Sequence, residues 1–390
     1  ISAFAALVAS GGAPRASIAM GKGDHDLAEK LLGGCFTLQI VISAILTAVM
    51  LIWSRDLLLM FGASENTIGY AADYMRIYAI GTLFVQLTLG MNAFITAQGF
   101  ATTGMLTVLI GAVANIALDP LFIYGLGMGV RGAALATVIS QGLSCVWVIC
   151  FLRGKKTLLR LKRENLLVSP KLILPCVALG LAAFIMQSSE SIISVCFNSS
   201  LLRYGGDVAV GAMTILSSVM QFAMLPLQGI AQGAQPISSY NYGACNADRV
   251  RQTFRLLLRV CLAYSMVLWA GIMLFPRGFA GIFTPDAELL DFTARALRIY
   301  CAMLFLFGIQ IACQMTFVSI GNAPCSILVA VLRKFVLLLP LIFLLPSLLP
   351  DKVTAVYLAE PVADVIAVTC TALLFSRQFK KALAALEAGK

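Results

Sequence analysis

The chain has 390 residues, of which 60% are hydrophobic and only 12% are charged. Soluble globular domains are closer to half apolar and a quarter charged, so this composition excludes an ordinary soluble protein and indicates an integral membrane protein. The formal net charge of +10 would suggest nucleic-acid binding in a soluble chain. No stretch interleaves basic and aromatic residues as a nucleic-acid groove does, so we expect the lipid bilayer, and no nucleic acid, as a partner.

Cysteine and histidine do not form the pattern of a disulfide scaffold or a metal site. The eleven cysteines include no CxxC pair, most of them lie in apolar runs, and the only histidine is His25. Cysteines in such surroundings act as small hydrophobic side chains. We therefore expect no cofactor and no His/Cys metal centre.

Eleven apolar runs follow one another along the chain, separated by short polar breaks. A transmembrane helix needs roughly 20 residues, and a helix satisfies the backbone polar groups that lipid leaves without partners. The sequence thus predicts an all-α polytopic membrane protein with eleven visible transmembrane helices. The runs lie near residues 1–20, 30–52, 72–96, 101–124, 129–151, 170–200, 207–239, 250–274, 293–320, 325–347 and 353–376.

The basic breaks between these runs predict the orientation of the chain. Residues 153–163, 249–259 and 377–390 are rich in Lys and Arg, and residues 21–30 are mildly basic. Such segments remain on the cytoplasmic side. Even numbers of runs separate these four segments, so the assignment is self-consistent and places the C-terminus in the cytoplasm.

An internal repeat relates the two parts of the chain. A shift of 222 positions places Arg76-Ile77-Tyr78 on Arg298-Ile299-Tyr300, Gly11 on Gly233, Pro14 on Pro236, Ser17 on Ser239 and Gly99 on Gly321. Residues 170–222 have no counterpart, because theirs would precede Ile1. We therefore expect a twelve-helix parent with two parallel six-helix halves, of which this chain lacks the first helix. The predicted domains are residues 1–163 and 164–390.

Three spaced motifs resemble the MATE family, the multidrug and toxic compound extrusion transporters. They are VASGGAPRASIAMGKGDHDLAEKLLGG at 8–34, NIALDPLFI from Asn115, and MLPLQGIAQGAQPISSYNYGACNADRV at 224–250. The short loops and the second motif look most like the MepA and DinF branch. The resemblance implies a monomeric secondary antiporter of a bacterial-type cytoplasmic membrane. It would export organic cations in exchange for H⁺ or Na⁺.

Asp119 is the first candidate coupling residue, because ionisable groups inside a bilayer are expensive and usually functional. It precedes Pro120, which removes a backbone hydrogen bond, and Asn115 lies one turn earlier on the same helical face. In family members with a described cation site, the ligands include an Asn, an Asp and a Thr at the positions of Asn115, Asp119 and Thr137, and an Asp of the first helix, which we expect this chain to lack. Carboxylate and amide oxygens together suit Na⁺, whereas a carboxylate alone suits H⁺. The structural alternative is that Asp119 only supports the proline kink.

Glu190 is the second candidate, in a run whose polar neighbours predict a face turned away from lipid. The resemblance aligns it with a seventh-helix Glu that serves cation or proton coupling in NorM-like members. A carboxylate in low dielectric alternates readily between protonated and cation-bound states. The alternative is a hydrogen bond that packs two helices.

Two further acids, Glu360 and Asp364, lie one turn apart around Pro361. Arg333 or Lys334 is expected to pair with one of them and so remove both charges from lipid. The predicted substrate cavity is lined by side chains that repack around varied ligands or offer polar contacts: Met91, Asn92, Gln221, Met224 and Gln314.

Three other functions compete with the antiporter. A flippase for a lipid-linked precursor would need cationic groups for a pyrophosphate, and Arg15 and Arg333 are the best candidates. An intramembrane enzyme would need a catalytic constellation inside a span, which the sequence lacks, so we expect no enzymatic activity. A non-transporting scaffold would not need the twofold repeat, which alternating access requires.

Overall fold

A computed structural model describes residues 1–60, 67–167 and 169–388. This part of the chain is almost entirely helical, as the apolar runs predict. Its helices are α1 Ser2–Gly21, α2 His25–Ile52, α3 Ser54–Met60, α4 Ile68–Ala97, α5 Ala101–Pro120, α6 Val130–Arg153, α7 Pro170–Gly243, α8 Ala247–Leu274, α9 Pro276–Gly281, α10 Ala287–Tyr300, α11 Phe307–Ser319, α12 Ala323–Val331, α13 Leu339–Leu348 and α14 Lys352–Ala388.

Each of the eleven predicted runs coincides with a helix or a bent pair of helices. By length and composition, eight helices of the described residues are able to cross a membrane, or nine if the bent pair α10 and α11 forms one span. One of the eight is α7, whose 74 residues contain a break at Gly206, where φ is 65°. Counting the two parts of α7 separately raises nine spans to ten, and α1 is the eleventh. The chain is therefore a multi-pass membrane protein.

The repeat is visible in the helix boundaries. Shifting α2 by 222 positions gives the bounds of α8, and the first residues of α5 and α6 fall on those of α12 and α14. The turns agree as well, because Gly99 and Gly321 both have positive φ, 91° and 74°. Asp24 and Asn246, also one shift apart, cap α2 and α8 by accepting from the backbone N–H three residues later. Equivalent helices therefore begin with the same kind of capping bond and are joined by turns with a glycine at the same position.

The repeat is broken where α4 would have its counterpart. The continuous helix α4 corresponds in the second part of the chain to α10 and α11, which are bent by 46° around residues 301–306. In α10 Arg298 donates from Nε to the carbonyl oxygen of Met273, and Trp269 donates from Nε1 to the carbonyl of Ala302 in the bend. The carbonyl of Ala302 lies in the bend and that of Met273 in the last turn of α8, so each bond supplies a donor to an acceptor near a helix end.

The described residues form two compact units: unit 1, Ile1–Phe184, and unit 2, Ile185–Lys390. Unit 1 has a core of buried side chains from α1, α2, α4 and α6 and from the first part of α7. Unit 2 has its largest core between the remainder of α7, α8, α10, α11, α13 and α14. The predicted boundary after residue 163 concerns the two six-helix halves and stays a prediction.

The basic loop after α6 is attached to unit 1 by two polar side chains. Gln98 accepts hydrogen bonds through Oε1 from the Thr157 hydroxyl and from two backbone N–H groups, all between 2.8 and 2.9 Å. Glu29 pairs with Lys162 at 2.6 Å, and its hydrogen bond raises the pKa of that lysine above its ordinary value. The loop is thus held against the ends of α2 and α4.

Candidate functional site

The first candidate site lies in unit 1, where α5 passes into a π-helical segment, Leu121–Gly125. Pro120 stands at this junction, because it has no N–H to continue the regular α-helical ladder. Asn115 and Asp119 are both half-buried, one turn apart on α5. The Nδ2 atom of Asn115 and the Oδ1 atom of Asp119 are buried and have no hydrogen-bond partner among the described residues. A buried carboxylate oxygen is costly unless it accepts a hydrogen bond, is protonated or binds a cation.

Two close contacts fix the register of α5 against α6. A Cβ atom at Gly111 would lie 2.6 Å from the hydroxyl of Ser144, and one at Gly132 would lie 2.7 Å from the carbonyl of Phe122. Because the helices run in opposite directions, these contacts place Thr137 at a level between Asn115 and Asp119. The hydroxyl of Thr137 donates to the carbonyl of Ala133 at 3.0 Å, which leaves its oxygen lone pairs free to bind a cation.

The second candidate site is a cluster of charged side chains in unit 2. Arg333 donates from Nη2 to Oε1 of Glu360 at 2.7 Å and from Nε to Oδ1 of Asp364 at 2.9 Å. All three side chains are less than 10% exposed. The expected pairing of Arg333 with one of these acids is confirmed, and the structure adds that it binds both. One guanidinium offers several donors in a fixed plane, so it is suited to bridge two carboxylates.

Lys334 does not bind either of these acids. Its Nζ donates to Oε1 of Glu190 at 2.6 Å. The lysine side chain is 7% exposed, whereas that of Glu190 is 63% exposed. Glu190, predicted as a coupling residue, therefore has a buried cation on one side and is uncovered on the other.

Local backbone structure explains why these charges meet. Arg333 and Lys334 lie in a second π-helical segment, Leu332–Leu338, which rotates side chains out of the regular α-helical order. Pro361 lies between Glu360 and Asp364 and has no N–H, so it removes one hydrogen bond from the preceding turn of α14. The guanidinium carbon of Arg333 also lies 4.7 Å from the centre of the Phe307 ring, an arrangement typical of a cation–π contact.

The family follows from comparison with known proteins. A family model described as MatE matches residues 1–121 and 181–344. The chain belongs to the MatE family. This confirms the resemblance that the three motifs indicated.

Curated relatives of this MatE chain are multidrug export proteins. It is 24% identical over 367 residues to the multidrug export protein MepA of Staphylococcus haemolyticus, which covers 94% of this chain and 80% of that protein. It is 23% identical over 340 residues to MepA of Staphylococcus aureus, and the match covers 87% of this chain and 75% of that protein. The MatE family is thus represented here by proteins named for transport and not for catalysis.

Solved structures give the same fold. A MATE crystal structure in the bent conformation matches with a TM-score of 0.93 at 22% identity, covering 99% of this chain and 86% of that one. The MATE multidrug transporter DinF-BH, solved in complex with a small molecule, matches with a TM-score of 0.89 at 34% identity, covering 96% and 84%. The all-α transporter fold predicted for this MatE chain is confirmed.

The residues predicted to line the substrate cavity have different surroundings. Met91 is fully buried in the core of unit 1. Asn92 donates to the carbonyl of Gly104 at 3.3 Å, and Gln314 donates to that of Ser326 at 3.2 Å. These two bonds lie one repeat apart and join equivalent helices, which is a packing role.

Gln221 is exposed, and Met224 packs at the edge of the unit 2 core. Cavities of about 520 Å³ beside α3 and α4, and of about 610 Å³ beside α8 and α10, contain none of the five predicted residues. The cavity assignment therefore stays a prediction.

The ion pair of Lys334 with Glu190 is the feature that sequence reasoning missed. The two residues lie 144 positions apart in the chain, and no motif relates them. One signal was available: unit 2 has three acids deep within its apolar runs, and the two bases expected to pair with them are adjacent in sequence. Two neighbouring cations on one helix rarely face the same side of it, so a separate acid for each was to be expected.

Proposed function

We propose that this protein is a secondary active antiporter that exports organic cations in exchange for H⁺ or Na⁺. The observation that carries the proposal is the buried carboxylate oxygen of Asp119, which no described residue hydrogen-bonds, beside Pro120 and Asn115. A proton or a sodium ion would neutralise this group, and its loss would restore the charge. The multidrug export proteins among the relatives support a drug as the cargo, and the complex of DinF-BH with a small molecule supports a small-molecule site.

Coupling follows if the coupling ion and the cargo do not bind the same state of the transporter. If the coupling ion and the cargo stabilise different states of the transporter, the ion that enters shifts the population towards the state that has released the cargo. Asp119 with Asn115 and Thr137 would bind Na⁺ through oxygen ligands, whereas Asp119 alone suffices for H⁺. Glu190 is the second acid in this scheme, since its uncovered side is available to a cation.

The cellular setting belongs to the same proposal. The basic loops favour a chain whose C-terminus lies in the cytoplasm, in a cytoplasmic membrane of bacterial type. We expect it to act as a monomer, with small organic cations as its partners. The flippase alternative loses support because Arg333, its best anion ligand, is neutralised by Glu360 and Asp364, and Arg15 alone would have to bind a pyrophosphate.

The experiment is efflux from proteoliposomes that contain the purified chain and a fluorescent cation. A pH gradient and a Na⁺ gradient are imposed separately, and the gradient that drives efflux identifies the coupling ion. Asp119→Asn should abolish driven efflux under either gradient, because the amide binds neither ion at a useful affinity. Asp248→Asn, at an exposed helix start, is the matched control and should transport normally. Unchanged transport by Asp119→Asn would assign that residue a structural role.

A further inference from the structure

The charges of the unit 2 cluster balance without Glu190. Arg333 and Lys334 carry two positive charges, and Glu360 and Asp364 carry two negative charges, and all four side chains are less than 10% exposed. These four residues, the buried quartet, are neutral as a group. Because an unbalanced charge in the membrane interior is costly, the quartet is stable whether or not Glu190 is bound to it. Glu190 is the surplus acid of the cluster.

Exposure separates Glu190 from the quartet. Its side chain is 63% exposed while that of its partner Lys334 is 7% exposed. A cation that arrives from outside unit 2 therefore reaches Glu190 without first entering the quartet. An ionised carboxylate in contact with lipid is expensive, so we expect the uncovered side of Glu190 to face water or cargo.

Glu360 is a second acid that interacts electrostatically with Lys334. Glu360 and Asp364 each bind Arg333 through a single oxygen, which leaves Oε2 of Glu360 available to an ammonium group. The other groups near the cluster are Tyr300, beside Glu360 and Glu190, Cys301, beside Glu360 and Asp364, and the ring of Phe307. None of them carries a positive charge that would compete with Lys334.

We infer that Lys334 is a built-in competitor for the cargo cation at Glu190. In the empty transporter its ammonium group occupies the cation position of that carboxylate. When an organic cation binds Glu190, Lys334 moves to Glu360, and the quartet becomes a closed neutral group. When the cargo leaves, Lys334 returns, so Glu190 is never left as an unpaired charge. This inference rests on the proposed function, since it adds to the coupling role of Glu190 a contact with the exported cation.

This arrangement sets which cargoes are accepted. A cargo cation must interact with Glu190 better than a tethered primary ammonium group does. A large organic cation adds apolar contacts that Lys334 lacks. Lys334 thereby lowers the affinity for every cation and speeds release, which a transporter needs more than tight binding.

The test is equilibrium binding of radiolabelled tetraphenylphosphonium to the purified chain in lipid nanodiscs, at constant pH and without a gradient. Lys334→Met should bind this permanently charged cation at least about tenfold more tightly than the unaltered chain. Lys334→Met with Glu360→Gln should show the same gain, and it retains a neutral buried pair, so it guards against misfolding of the single variant. Glu360→Gln alone removes the alternative partner of Lys334 and should weaken binding.

Two controls accompany these variants. Adding Glu190→Gln to Lys334→Met should remove the gain, since the gain depends on that carboxylate. Lys352→Met removes an exposed lysine at the start of α14 and should leave binding unchanged. If the Lys334→Met/Glu360→Gln chain binds no more tightly than the unaltered chain, the inference is overturned, whether or not either of them binds. Binding without a gradient does not depend on Asp119, so failure here is distinguishable from failure of the proposed antiport.

Discussion

The hydroxyl of Ser17 in α1 donates to the carbonyl oxygen of Ala97 at the end of α4, over 3.0 Å in a buried contact. One repeat later, Ser239 donates to the carbonyl of Ser319 over 2.9 Å. Both acceptors precede a glycine with positive φ by two residues, at Gly99 and Gly321. The repeat therefore preserves a tertiary contact as well as a helix pattern.

Loss of either serine hydrogen bond should lower the free energy of unfolding by the same amount. Ser17→Ala and Ser239→Ala should each lower the free energy of unfolding by about 1 kcal/mol, because each removes one buried interhelical hydrogen bond. Denaturation of the purified chain, followed by tryptophan fluorescence or circular dichroism, measures this. Ser218→Ala is the matched control, since its exposed hydroxyl bonds only within its own helix. A cost in one unit without a cost in the other would contradict the structural equivalence.

The crossing of α1 with the first part of α7 depends on two glycines. A Cβ atom at Gly11 would overlap the carbonyl of Cys176, and one at Gly180 would overlap the carbonyl of Leu7. Small residues allow membrane helices to approach this closely. Gly11→Ala and Gly180→Ala should therefore force the helices apart and sharply reduce the yield of monodisperse protein in size-exclusion chromatography.

The repeat supplies the control for this prediction. Gly233 is the counterpart of Gly11, but a Cβ atom there would meet no described residue within 4 Å. Gly233→Ala should leave the yield unchanged or raise stability by up to about 1 kcal/mol, because alanine favours a helix interior over glycine. Equal losses for Gly11→Ala and Gly233→Ala would show that helix propensity, and not close packing, governs these sites.

Among the charged residues of the unit 2 cluster, Arg333 should be the one whose replacement lowers the free energy of unfolding most. Arg333→Met leaves Glu360 and Asp364 buried without their shared partner, so we expect a loss of about 3–5 kcal/mol in the free energy of unfolding. Thermal denaturation in detergent, monitored by fluorescence, measures the change. The triple variant Arg333→Met, Glu360→Gln, Asp364→Asn removes the charges together and should recover most of that stability. A triple variant as unstable as the single one would mean that packing of the guanidinium dominates.

The sequence predicted the fold closely because its signals are local. Apolar runs of sufficient length, such as 30–52 and 250–274, lie within α2 and α8, and the bilayer permits few structures other than helices for such runs. The structure extends the repeat to the helix starts, because Asp24 and Asn246, 222 positions apart, cap α2 and α8 in the same way. The break between α10 and α11 escaped prediction, because residues 293–320 are long enough for one span and contain no proline to mark a bend.

The candidate sites also divide into residues that the sequence predicts and pairs that only the folded chain shows. Asn115 and Asp119 were predictable because one helical turn places them on a common face, and Pro120 marks the distortion beside them. The membrane class, the number of apolar runs, the repeat and the family all follow from the order of the residues. The folded chain is needed to show that Arg333 bridges two acids and that Lys334 binds a third. The acids that Arg333 and Lys334 bind come from distant parts of the chain. The two bases are adjacent in sequence, and the π-helical segment around them turns their side chains towards different acids. Periodicity and spacing within one helix carry no information about either.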